Sequence, residues 1–313
     1  MTLVSVLIPV YNGDTFLAAA LESALRQTHH DLEILVGDDC STDTSRELAE
    51  AYAARDPRIR VLPALERNLG APRNQIRLHQ AARGGFIKPL LQDDLLAPRC
   101  VQTLLAGLRA DETAALATSK RGLIDASGQR LPDQPWTAAL TDGDVHADGI
   151  ELGDAMLRSN ANLVGEVTTV LYRAGLVPPE ELWTLDGHEY RGNGDIVLWL
   201  KLLAGRHAFY TPNELSFFRQ HPGQASHRPD IIIGGSIEWA RMTVAARGFG
   251  YLSDPAAELA AHTQAAATAE RAFQLAAGHP EFLPQLSDAL GPLLARVELL
   301  SSAPPVIAET LAG

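Results

Sequence analysis

Strand-like and helix-like segments alternate four times within the first hundred residues, and that alternation leaves few folds open. Residues 3–10 (LVSVLIPV), 32–37 (LEILVG), 59–62 and the run opening at Phe86 are short, apolar and rich in β-branched side chains. That is the composition of strands covered on both faces. Between them, 15–27, 44–55 and 71–82 repeat apolar residues at helical spacing. Thr42 or Asp43 is placed to cap the second helix, and Pro72 is acceptable in the first turn of the third. Helices alternating with buried strands predict an α/β fold with a doubly wound, mainly parallel sheet. Such sheets bind ligands beyond the carboxyl ends of their strands. The polar residues after each strand are therefore the first candidates for a site.

The stretch 86–98 (FIKPLLQDDLLAP) concentrates that expectation, because its strand runs directly into Asp93 and Asp94. Neighbouring carboxylates repel each other, so something must hold them together. A divalent cation would do so; a solvated turn or a helix cap is the plain alternative.

Beyond residue 98 the pattern loosens. Residues 99–110 read as a helix, 114–119 as a strand, and 123–130 as a hairpin with a Ser-Gly turn. Residues 131–149, rich in Pro, Asp and Gly, read as a long loop. A short helix at 149–158, a strand at 165–173, an apolar helix at 195–204 and a strand at 207–220 follow. From about residue 229 alanine dominates, and 231–247, 255–277 and 280–302 predict three amphipathic helices. The expected organisation is one domain over 1–228, with halves 1–98 and 99–228, and a helical region over 229–313.

A formal charge of −12 opposes nucleic-acid binding, which needs a basic footprint. Cys40 and Cys100 are too few for a disulfide framework and read as free thiols. Met1 leads straight into a core strand and no run reaches transmembrane length, so the expected location is the cytoplasm, with the inner face of the membrane within reach.

Several blocks, in order, resemble family 2 glycosyltransferases of the GT-A fold. VSVLIPVYNG (4–13), LESALRQT (21–28), EILVGDDCSTD (33–43), Asn68-Leu69-Gly70 with Arg73-Asn74, and the acid pair match the family's first half; each is weak alone, and the ordered set is specific. Gly194-Asp195 before an apolar helix, and Phe218-Arg219-Gln220-His221 with Ser226, extend the match more loosely to about residue 227. Two departures stand out. Leu91-Gln92-Asp93-Asp94 lacks the first acid of the family's D-x-D region, and Gly194-Asp195 replaces Glu-Asp.

The resemblance implies a Rossmann-like GT-A sheet and inverting transfer from a nucleotide-diphosphate sugar to an acceptor hydroxyl. A saccharide or lipid-linked acceptor follows, as does a role in polysaccharide or glycoconjugate synthesis. It implies Asp195 as the base, and Asp94 as the main ligand of Mn²⁺ or Mg²⁺. Asp93 serves as a ribose or second metal contact, with His221 completing the metal environment. Pro9, Val10, Tyr11, Asp39, Asn68, Gly70 and Arg73 form the nucleotide site, Asp39 on the base and Arg73 toward the diphosphate.

The residues themselves add a polar-aromatic loop, Trp183 with His188, Glu189, Tyr190 and Arg191, either as an acceptor or donor contact or as fold packing, and Glu166 as a further candidate. A nucleotidyltransferase would want a basic, Gly-rich loop after the first strand, and Tyr11-Asn12-Gly13-Asp14 has no basic residue. A non-catalytic sugar-nucleotide-binding module is the second alternative. For the C-terminal helices, dimerisation, membrane contact and acceptor recognition are the roles in view.

Overall fold

The computed structural model describes residues 2–224 and 228–302; Ser226, matched above to the closing family segment, lies outside them. The first half delivers the predicted alternation. Strands β1 (Val4–Val10), β2 (Leu32–Asp38), β3 (Ile59–Val61) and β4 (Phe86–Pro89) are joined by helices α1 (Asp14–Leu25), α2 (Ser45–Ala53) and α3 (Ala71–Ala81). β5 (Leu95–Leu96), α4 (Cys100–Ala110), β6 (Ala114–Ile124) and β7 (Arg130–Leu131) follow. Next come β8 (Val145–Asp148), α5 (Gly149–Ser159), β9 (Leu171–Arg173), the small hairpin β10 (Thr184–Leu185) and β11 (His188–Glu189), α6 (Gly194–Leu203) and β12 (His207–Arg219). The chain closes with α7 (Pro229–Ala245), α8 (Pro255–Leu275) and α9 (Leu283–Ser302).

The main sheet runs β3-β2-β1-β4-β9-β6-β12-β5, with β7 beside β6 and β8 beside β12. β3, β2, β1 and β4 are mutually parallel, as are β6 and β12, while β9 and β5 pair antiparallel to their neighbours. Every residue of β1 except Pro9 is buried, as expected for a strand covered on both faces.

Two segments differ from expectation. Residues 165–173 are not one strand: Val167–Thr169 forms a 3₁₀ turn, and only Leu171–Arg173 pairs. The cause is Lys88, fully buried on β4, whose ammonium donates to the carbonyls of Thr168, Val170 and Pro89. A buried cation needs such acceptors, and meeting them curls the chain. The loop 131–149 is also more ordered than its composition suggests. It holds a 3₁₀ turn at Pro135–Thr137, and β8 extends the sheet along β12.

The three C-terminal helices share an apolar cluster built on Ile233, Ile237, Ala265, Leu286 and Leu293. They also join the main core, where Trp239, Met242, Tyr251 and Leu252 pack among residues of α5 and α6. The Tyr251 hydroxyl donates to the Leu200 carbonyl at 2.7 Å. Among the described residues no helix is long and apolar enough to cross a membrane.

A second tie is electrostatic. Glu238 of α7 is buried, and its carboxylate accepts the backbone N–H groups of Arg191 (2.7 Å), Gly192 (3.0 Å) and Asn193 (2.6 Å). Burial pushes its acid up, and the three amides pull it back. Truncation by Glu238→Ala strands those donors, so we expect a loss of about 2–4 kcal/mol in denaturant unfolding. Glu238→Gln, which keeps one acceptor oxygen, should lose less. Equal midpoints for wild type and Glu238→Ala would contradict this role.

Candidate active site

The carboxyl ends of β1, β2 and β4 lie side by side, with Val10 opposite Asp38 and Leu7 opposite Pro89. Their loops are stitched together by side chains. Asn12, in the left-handed region at φ 48°, donates its N–H to Ser41 Oγ at 3.0 Å and accepts the Thr42 N–H on Oδ1 at 2.8 Å. Gly13 donates to Ser45 Oγ at 2.8 Å.

Gln92, standing near the missing first acid, clamps the first loop. The Tyr11 N–H donates to its Oε1 at 2.8 Å, and its Nε2 donates to the Tyr11 carbonyl at 3.2 Å. A Cβ on Gly13 would meet that amide at 2.3 Å, so the glycine makes room for the clamp. The Tyr11 ring stays 48% exposed beside the buried Val10 and half-buried Pro9, an accessible flat face above the loops.

Asp39 is buried, and its two oxygens accept the N–H groups of Leu69 and Gly70, each at 2.8 Å. Asn68 Nδ2 donates to the Asp39 carbonyl at 3.0 Å, and Gly70 takes φ 87°, where glycine is favoured. Asp39, Asn68 and Gly70 thus form one unit that fixes the third loop. The neighbouring Asp38 is also buried, and its Oδ1 has no hydrogen-bond partner among the described residues. Arg73 is exposed on the first turn of α3 and is brought to none of the other site residues by a hydrogen bond within the described chain.

The acid pair is split by its surroundings. Asp94 is 1% exposed; its Oδ2 accepts the Thr168 hydroxyl at 2.6 Å and its Oδ1 the Arg219 N–H at 3.0 Å. Burial, and then the adjacent Asp93, hold its acid well above the usual carboxylate range. The expectation that Asp94 leads as metal ligand therefore meets a carboxylate turned inward with both oxygens engaged. Asp93 faces outward instead, its side chain 21% exposed, with Oδ2 3.0 Å from His221 Nε2. His221 rests against the Phe16 ring with centroids 4.9 Å apart, and the Arg219 guanidinium lies over the same ring at 4.7 Å. Among the described residues no three His, Cys, Asp or Glu side chains converge on one point as ready metal ligands. One carboxylate and one imidazole fit a cation that takes its remaining ligands from phosphate oxygens and water.

Asp195 sits in the first turn of α6 and lines a cavity of about 210 Å³ together with Leu91, Glu166, Trp183 and Tyr190. Asn162 Nδ2 donates to its Oδ2 at 2.8 Å, and the Ile196 N–H to its Oδ1 at 2.8 Å. Burial, reinforced by the nearby Glu166 charge, pushes its acid up to about 7. A carboxylate that titrates near neutrality at a cavity wall is suited to proton transfer.

Trp183 and Tyr190 are buried rather than displayed on a loop, at 4% and 1% exposure. Both line this cavity, and the Trp183 Nε1 and Tyr190 Oη lack partners among the described residues. His188 and Glu189 point to solvent on β11, and the Arg191 side chain pairs with Glu189 at 2.9 Å. Sequence reasoning missed Thr168, Asn162 and Glu238, none of which sits in a motif. It registered Gln92 only as the absence of an acid.

Comparison with known proteins matches residues 5–154 to Glycosyl transferase family 2. The chain is 35% identical over 130 residues to the chondroitin synthase of Escherichia coli, covering 41% of this chain and 18% of that one. It is 30% identical over 225 residues to the uncharacterized protein MT1568 of Mycobacterium tuberculosis (strain CDC 1551 / Oshkosh), covering 69% of this chain and 67% of that one. Among solved structures, residues 1–349 of S. aureus TarS in complex with UDP-GlcNAc superimpose with a TM-score of 0.66 at 18% identity, over 96% of this chain and 83% of TarS 1–349. The sheet and its flanking helices are thus the GT-A arrangement expected from the sequence.

Proposed function

The chain belongs to glycosyl transferase family 2, and we propose that it moves a sugar from a nucleotide-diphosphate sugar to an acceptor hydroxyl in polysaccharide or glycoconjugate synthesis. The observation that carries this reading is Asp195, a carboxylate pushed up to about 7 at the wall of a cavity. An acceptor hydroxyl entering that cavity donates its hydrogen bond to Asp195. As its oxygen bonds to the anomeric carbon, the proton passes to the carboxylate and the nucleotide diphosphate departs from the opposite face. The anomeric configuration inverts. Asn162 and the α6 amide keep the carboxylate aimed through this step.

On the donor side, the exposed Tyr11 ring packs against the nucleotide base. The partnerless Asp38 oxygen is a polar contact for it, and Asp39 sets the third loop from which Arg73 reaches the diphosphate. Asp93 and His221 would hold Mn²⁺ or Mg²⁺, which when bound neutralises the charge of the leaving diphosphate. Asp94 braces the turn beneath them.

TarS was solved with UDP-GlcNAc, so uridine-diphosphate sugars are the first donors to test. The experiment is release of UDP from a panel of sugar nucleotides with Mn²⁺, with and without saccharide acceptors. Transfer with inverted product supports the proposal. Sugar nucleotides that raise the melting midpoint yet are never turned over would replace it with the binding-module reading.

A further inference from the structure

A second cavity, of about 370 Å³, lies between the middle of β6, at residues 119–121, and residues 135–140. It shares a wall with the Asp195 cavity, since Glu166 lines both, and Asn162, which lines it, hydrogen-bonds Asp195. Its volume is in the range of small-ligand sites.

Its chemistry is that of a saccharide site. The Trp136 indole is 45% exposed, yet it is held from two sides. Phe218 packs edge-on at 6.3 Å, and the Arg121 guanidinium lies 5.1 Å from its ring centre. An exposed aromatic held this firmly offers a prepared apolar face, to which a pyranose can present its C–H surface. Arg121 is nine-tenths buried, and its Nε–H has no partner among the described residues, although a buried donor normally finds one. A sugar hydroxyl can accept from it. The Tyr210 hydroxyl already accepts the Leu140 N–H at 2.9 Å and keeps its own proton to donate.

The charges indicate what kind of sugar. Each lining cation is matched by acids. Lys120 pairs with Asp133 at 2.6 Å and Glu214 at 2.7 Å, and Arg121 pairs with Glu166 at 3.3 Å. Among the described residues lining the cavity, no positive charge is left over to repay an anion for its lost water.

Resting on the transferase reading, we propose that this cavity binds the sugar unit adjoining the reactive end of the acceptor, and that the unit it takes is uncharged. The acceptor then lies across Glu166, its reactive hydroxyl at Asp195 and its next ring on Trp136.

The test compares wild type with Trp136→Ala, a position 45% exposed and outside the buried core. Neutral disaccharides (cellobiose, maltose and N,N′-diacetylchitobiose), the matching monosaccharides and a glucuronate-containing disaccharide serve as probes. Saturation-transfer NMR in the presence of UDP and Mn²⁺ reads binding without turnover. Inert donor chemistry would therefore not be mistaken for an empty cavity. We expect a neutral disaccharide to bind more tightly than its monosaccharide, and Trp136→Ala to weaken it by roughly tenfold, the scale of one aromatic contact. In transfer assays KM should rise similarly, with kcat and acceptor-free donor hydrolysis within twofold of wild type. Unchanged disaccharide affinity in Trp136→Ala, no advantage of disaccharide over monosaccharide, or preference for the glucuronate probe would each overturn the proposal.

Discussion

Asp195→Asn should lower kcat for sugar transfer by about 10²–10⁴-fold, the usual contribution of a positioned base, while nucleotide-sugar affinity stays within a few-fold of wild type. The amide keeps the size of the carboxylate and can still accept a hydrogen bond, but it cannot take the proton. The wild-type pH profile should carry the same signature. Asp195 must be ionised to act, and its acid lies at about 7, so the rate should fall tenfold per pH unit below neutrality and level off above it. The charged groups facing it fix the direction of any shift. Glu166 opposes ionisation and Arg121 favours it, while Tyr190 and Arg191 line the same cavity. Glu166→Gln should therefore move the acid limb to lower pH. A flat profile between pH 5.5 and 8, or full transfer by Asp195→Asn, removes Asp195 from the role.

The two neighbouring acids should separate cleanly. If Asp93 holds the proposed metal, Asp93→Asn should cost at least about 100-fold in transfer and blunt the response to added Mn²⁺, because a metal at a leaving diphosphate supplies several kcal/mol of stabilisation. Asp94→Asn should keep both. An asparagine can accept the Arg219 N–H through its oxygen and donate its amide to Thr168 Oγ1, so that only the Thr168 hydroxyl proton loses its acceptor. Asp94→Ala leaves both unpaired and should lose about 2–4 kcal/mol of stability, read as a lower unfolding midpoint. Should Asp94→Asn lose the Mn²⁺ response while Asp93→Asn keeps it, the ligand assignment returns to Asp94.

The different burial of Asp93 and Asp94 marks where sequence reasoning stopped. The alternation of strands and helices was legible because it is local: β-branched runs and 3.6-residue spacing are visible in any short window. Asp195, Asp39 and His221 were legible as members of an ordered set of blocks. Which of two adjacent carboxylates turns inward is not local. It depends on Thr168 and Arg219, which reach Asp94 across 74 and 125 residues. The curl that places Thr168 depends in turn on Lys88, whose ammonium donates to the Thr168 and Val170 carbonyls from 80 and 82 residues away. For Trp183 and Tyr190 composition left sugar contact and fold packing equally open, since a polar-aromatic stretch gives no sign of whether its rings will be buried, as they are. Asn162 left no signal at all.

The Glu238 contact bears on how relatives of this chain could be recombined. Residue 229, where the alanine-rich composition begins, looks like a natural splice point for exchanging tails between enzymes. The chain just ahead of Asp195 is nevertheless held by a carboxylate from beyond that point, through the amides of Arg191, Gly192 and Asn193. A chimera joined at 229 would inherit Asp195 from one parent and the anchor of the adjoining loop from the other. Tails that carry an acid at the position of Glu238 should give active hybrids, and tails without one should not. Grafting Glu238 with its α7 surroundings is the smallest exchange that keeps the two together.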